Sequence, residues 1–132
     1  MLVQDGEWPL VVVSWPQRVV SEEEAEEVLR LLAACYGRAH AVLHDGLRAG
    51  GLSPGARRLL AAHSQRYEDE IRRWVVATAA VANSAWLRAL IKTIQWVAPP
   101  PAPFAVFAAE HEAREWLLQA LRRAGVWRPA AG

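Results

Sequence analysis

Cysteine is all but missing. Cys35 is the only one in 132 residues, which excludes an intrachain disulfide framework and a cysteine-built zinc centre. A single thiol within a helical pattern reads as a buried small apolar group. An excess of either charge is also missing. The formal net charge is +1, whereas a dedicated nucleic-acid binder carries a strong basic surplus, so no nucleic-acid partner is expected. Nor is there an unbroken apolar stretch of membrane length. The longest apolar span, residues 74–98, is interrupted by Asn83, Arg88, Lys92 and Gln95, and charge at a bilayer centre is costly, so no membrane span is expected. The first residues include Asp5 and Glu7 and lack a cationic leader region. A signal peptide is not expected, and the cytoplasm is the expected location. Three catalytic signatures are absent from the sequence: a Gly-x-Ser-x-Gly elbow, a phosphate-binding Walker loop and a His-Glu-x-x-His pair. No catalytic residue, metal or cofactor is therefore assigned. Lysine is nearly absent too, with Lys92 standing alone among fifteen basic residues. Together with abundant alanine, that bias points to a GC-rich bacterial genome.

What is present is alternation. Val75 to Ala82 is a short run apolar on both faces, as in a fully buried strand of a parallel sheet. After the polar Asn83-Ser84 come Trp86, Leu87, Leu90, Ile91, Ile94 and Val97 at helical spacing, with Arg88, Lys92 and Gln95 expected on the solvent side. Trp74 reads as the start of the strand. The helix stops at Pro99-Pro100-Pro101-Ala102-Pro103, a stiff connector that cannot continue it.

The same rhythm recurs along the chain. Leu2 to Gln4 is a candidate strand and Asp5-Gly6 a turn signal, followed by the strand Leu10–Trp15 between Pro9 and Pro16. These two segments suggest a hairpin at a sheet edge. Ser21-Glu22-Glu23-Glu24 is a capping box opening a helix whose stripe is Ala25, Val28, Leu29, Leu32 and Tyr36, with Gly37 as its terminator. Ala39 to His44 is a strand ending in Asp45-Gly46. Ser53-Pro54 is an N-cap with proline in the first helical position. Ala56, Leu59, Leu60, His63, Tyr67 and Ile71 then continue one helical stripe over about four turns. Phe104 to Phe107 is the last strand, and Glu110 to Ala124 the last helix. Ala113, Trp116, Leu117, Ala120 and Leu121 lie on one face of that helix, and Gly125 caps it.

This order gives an α/β domain over residues 1–125, with a four- to five-stranded mostly parallel sheet and about four helices; residues 126–132 read as a tail. In such sheets ligands and partners meet the loops at the carboxyl ends of the strands. Those loops bring Gln17, Arg18, Asp45, Arg48, Ser53, Asn83 and Ser84 to one edge, with His44 at a strand end. His44 and Asp45, being adjacent on a strand, are expected to point apart rather than form a dyad. His111 and Glu115 lie four apart on one helix face, which is too few ligands for a metal site and suits a solvated pair. Among seven tryptophans, Trp15, Trp74, Trp86, Trp96 and Trp116 fit core packing. Trp8 and Trp127, near the ends, suit either packing on the domain or a partner surface.

Three stretches resemble the STAS domain of anti-anti-sigma factors, and more closely the SpoIIAA-like bacterial proteins. They are Val42–Asp45 leading into Ser53-Pro54-Gly55-Ala56-Arg57-Arg58, the strand Val75–Ala82 with Ser84 and a late Trp96, and Val106-Phe107-Ala108-Ala109-Glu110 running to Trp116-Leu117. The resemblance covers roughly residues 8–121. It implies a non-enzymatic regulatory or scaffolding module acting through a protein partner or a second copy of itself. It also implies a phosphoacceptor at Ser53, the serine that opens the helix after the Asp-bearing strand. Here that serine lies in Gly-Gly-Leu-Ser-Pro-Gly, without the preceding Asp and with Pro54 added; its other role is the N-cap. SpoIIAA-like proteins are also grouped with lipid carriers, so the alternative expectation is a small apolar or lipid-like ligand, and the third is an enzyme of unknown type.

Overall fold

The computed structural model describes residues 3–48 and 50–126. Five strands form one sheet in the order β1-β2-β3-β4-β5: β1 (Val3–Glu7), β2 (Leu10–Ser14), β3 (His40–Leu47), β4 (Val75–Ala82) and β5 (Phe104–Phe107). β1 runs antiparallel to β2, and all other pairs are parallel. Five helices connect or cover them: α1 (Glu22–Ala33), α2 (Pro54–Arg66), α3 (Glu68–Trp74), α4 (Ala85–Val97) and α5 (Glu110–Arg123). Parallel neighbours need crossover helices, and here a helical segment lies between each parallel pair.

Strand alternation divides the core in two. Val11, Val13 and Val42 face α1 and the start of α2, with Val28, Leu32 and Ala56. Leu10, Val12, Ala41, Leu43 and Ala79 face α5, whose Ala113, Leu117 and Leu121 are fully buried. The capping box is formed as the sequence suggests. Ser21 Oγ accepts from the Glu24 amide at 3.2 Å, and Glu24 accepts from the Ser21 amide at 3.3 Å. Cys35 is buried.

Several sequence expectations are corrected. The hairpin forms, but Asp5 and Gly6 lie inside β1 and the turn falls at Trp8-Pro9. Gln4 pairs with Val12 and Glu7 with Leu10, so Asp5 and Gly6 together oppose Val11 as an inserted irregularity. The long helix after Ser53 is two helices, making five in all. The break is at Tyr67, with φ −106° and ψ 24°, and its ring packs 4.6 Å from His63 and 5.5 Å from Tyr36. Trp74 ends α3 rather than starting β4. α1 ends at Ala33, and Gly37, with φ +110°, belongs to the turn beyond it. Val126, assigned to the tail, packs on the α5 side. Trp127 and the rest of the expected tail lie outside the described residues.

The largest correction is α4. Its stripe was expected to face the sheet. Instead Trp86 is 65%, Ile94 55%, Trp96 84% and Val97 81% exposed. The side turned inward carries Leu87 and Ile91 together with Arg88 and Gln95. The Arg88 guanidinium donates to the Ala82 carbonyl at 2.6 Å, and the Gln95 amide nitrogen is buried without a hydrogen-bond partner. None of the α4 residues is fully buried. The helix is thus held at its start by polar contacts and leaves most of its apolar stripe unpartnered.

Candidate functional site

The carboxyl ends of β2 and β3 are locked together. Trp15 donates its amide to the Asp45 carbonyl at 2.9 Å. Gly46 follows with φ +81°, and a Cβ there would meet the Trp15 carbonyl at 3.0 Å, so both backbone and space demand glycine. Val20 and Leu52 form a parallel bridge that ties the next loops together. From this platform residues 46–48 and 50–52 lie opposite α4.

Between them lies an apolar groove of about 440 Å³. Trp15, Pro16, Leu47 and Leu52 form one side, and Trp86, Leu87, Leu90, Ile91 and Ile94 the other. The volume is within the range of small-molecule sites, about 300–1,000 Å³. Only two charged side chains line it, Arg48 and Arg57, and no carboxylate does. Both arginines are exposed, and neither forms an ion pair among the described residues.

The residues assigned to this edge from sequence are dispersed by the structure. Arg48 lines the groove. Arg18 is engaged by Glu24 in a two-pronged pair, 2.6 Å at each contact; that pair, with the Ser21 amide, holds the Glu24 carboxyl at about 2. Ser53 Oγ accepts from the Ala56 amide at 3.1 Å, the N-cap geometry. The Glu22 carboxylate covers the same helix start, 2.7 Å from where a Cβ on Gly55 would stand. A phosphate on Ser53 would share the positive end of α2 with that carboxylate. Ser84 Oγ caps α4 through the Leu87 amide at 3.3 Å, and Asn83 is exposed beside it. Gln17 reaches towards Gly46, its side-chain nitrogen 3.6 Å from a Cβ placed there.

His44 and Asp45 diverge, as strand geometry requires. Burial raises the Asp45 carboxyl, and the Glu110 charge on α5 raises it further. His44 turns to the opposite face, where Trp15 Nε1 donates to its Nδ1 at 3.1 Å and the two rings stack 5.9 Å apart. Burial pushes the His44 imidazole down to about 4. Trp8 packs on its own domain, with the Arg38 guanidinium 4.1 Å above its ring and His40 at 5.4 Å. His111 and Glu115 are both exposed on α5, and no metal-binding cluster is found among the described residues.

Sequence reading missed Arg57 and the groove face of α4. The apolar stripe was visible as a pattern, but its period does not say which side is covered. It placed His44 at the strand end but missed that His40 joins it on the α1–α2 face of the sheet. His40 and His44 alternate with Val42 in an otherwise apolar strand, and that alternation was the available signal.

No family model matches the chain, and no curated protein matches it. Among solved structures it is similar to an uncharacterized protein of the DUF3478 family with a SpoIIAA-like fold from Shewanella loihica PV-4. The identity is 17%, the TM-score 0.62, and the match covers 82% of this chain and 81% of that one. A protein of unknown function from Arthrobacter sp. FB24 aligns at 20% identity over 88% of this chain and 97% of that one, with a TM-score of 0.30. The α/β domain therefore has the STAS-type, SpoIIAA-like fold expected from its sequence. No helix among the described residues is long and apolar enough to cross a membrane.

Proposed function

We propose that the protein is a non-enzymatic binding module that holds an anionic amphiphile, such as a medium-chain fatty acid, in the groove between α4 and segment 46–52. The observation that carries this reading is an apolar groove whose only charges, among the described residues, are two arginines without an ion pair there. From Trp86 to Ile94, α4 rises roughly 12 Å at 1.5 Å per residue, the reach of a medium-length acyl chain. Each methylene buried there contributes about 0.8 kcal/mol. Arg48 and Arg57 supply planar, permanently charged donors matched to a carboxylate.

The test is calorimetric titration with dodecanoate and dodecanol. Saturable one-to-one binding of dodecanoate, weaker for dodecanol and weakened again by joint substitution of Arg48 and Arg57 with glutamine, supports the reading. Equal binding of acid and alcohol, or none of either, rejects it.

A second reading is contact with a protein partner or a second copy of the chain, in keeping with a STAS-type regulatory module. It is favoured by Trp96 and Val97, which stand exposed beyond the groove beside the proline connector. Concentration-dependent association abolished by Trp96→Ala would support it.

A further inference from the structure

A second void of about 170 Å³ lies on the α1–α2 face of the sheet, lined by His40, His44, Tyr36, Thr78 and the proline connector among others. It is separate from the α4 groove: Trp15 lines the groove, His44 lines this void, and the hydrogen bond between them stands at the partition. Nothing in the amphiphile reading uses it.

Its polar atoms are set in defined states. His40 is fully buried. Its Nδ1 lies 2.8 Å from the Arg38 carbonyl, which can only accept, so Nδ1 carries the proton and Nε2 is a bare acceptor. That Nε2 is buried and has no hydrogen-bond partner among the described residues. Leaving it unpaired costs about 1–3 kcal/mol, so a donor in the void would restore what folding gave up. His44 is the mirror case. Its Nδ1 accepts from Trp15, so the proton of the neutral ring sits on Nε2, which makes no hydrogen bond among the described residues. Burial favours the neutral form of both rings. Among the lining residues there is no Asp, Glu, Lys or Arg. A charged ligand would find no counter-charge, whereas a neutral one would find the His40 acceptor and the His44 donor, with the Thr78 and Ser64 hydroxyls and the Tyr36–His63 pair also on the lining.

Spacing adds a shape. Four residues along a strand place the α-carbons of His40 and His44 about 13 Å apart. Side chains at these two positions share one face of the strand, so a ligand lying along β3 can meet both rings. Volume agrees, because an engineered cavity of about 150 Å³ accepts benzene. We infer that this void binds a neutral single-ring aromatic molecule, with a hydroxyl or amine donating to His40 and a carbonyl-type acceptor opposite it receiving from His44.

The probe pair is 4-hydroxyacetophenone and para-xylene, which share a ring and substitution pattern but differ in hydrogen bonding. Binding to the full chain is followed by imidazole ¹⁵N chemical shifts. The expected result is preference for 4-hydroxyacetophenone by roughly tenfold or more, with shifts at His40 Nε2 and His44 Nε2. His44→Phe should reduce that preference, and it leaves His40 unaltered if His40→Phe proves unfolded. Equal binding of the two probes, water alone in the void with neither probe bound, or binding that leaves both histidine signals unmoved would overturn the inference.

Discussion

His44 carries a cost that depends on pH. Its folded-state value of about 4 lies below the ordinary histidine value of 6.5, so below neutrality the unfolded chain takes up a proton that the folded chain refuses. Burial lowers His40 and His63 in the same direction. Stability is therefore fully present above about pH 6.5 and is lost as pH falls towards 4, with a slope of roughly 1.4 kcal/mol per pH unit for each proton taken up. Thermal melts at pH 7.5, 6 and 5 should show a falling midpoint, and His44→Phe should flatten the dependence. A midpoint indifferent to pH over that interval would contradict this account of the buried imidazoles. Ser53 offers a second test at the same scale. Its hydroxyl caps α2, so Ser53→Ala should cost about 1 kcal/mol and Ser53→Asp, which retains a capping oxygen, much less. Chemical denaturation separates the two, and equal losses would show that the cap contributes nothing.

Among the elements, α4 and α5 are opposites. Both are amphipathic in sequence, yet α5 buries Ala113, Leu117 and Leu121 completely while α4 buries no residue fully. Leu117→Ala should therefore destabilise by about 2–5 kcal/mol. Ile94→Ser, on the open stripe, should change stability by less than about 0.5 kcal/mol while improving solubility. Denaturation midpoints read both effects, and a large loss from Ile94→Ser would mean that α4 packs by its apolar face.

Much of this level was readable from residues. The Ser21–Glu24 box, the Ser53 cap and the buried run in β4 each follow from local chemistry acting within a few positions. Other features were not readable because distant contacts decide them. The break at Tyr67 accompanies an aromatic cluster with Tyr36 from another helix region. Asp5-Gly6, a turn signal by itself, is carried within β1 because Gln4 and Glu7 on either side pair with β2. The side of α4 that faces inward depends on Arg88 meeting the Ala82 carbonyl, a choice that periodicity does not encode. For the candidate site, Arg48 was legible from its place at a strand end; Arg57 and the groove wall required the fold.

At the scale of the molecule, one sheet carries the α4 groove and the histidine-lined void on its α1–α2 side and a closed core on its α5 side. The α5 side supplies the rigidity, with strands and helix interdigitating without charged groups in the buried cluster. The opposite side holds the open apolar helix, the two arginines and the histidine-lined void. The proposed binding role uses that asymmetry: the groove's two arginines stand without a carboxylate on its lining among the described residues.

The most direct measurement is backbone amide chemical-shift mapping of the full chain during titration with dodecanoate. The account predicts saturable shifts concentrated in residues 46–52, at Arg57 and along α4, with the α5 helix unmoved. Shifts centred on α5 or the β1 edge, or none at all at millimolar dodecanoate, would contradict the placement of the binding site.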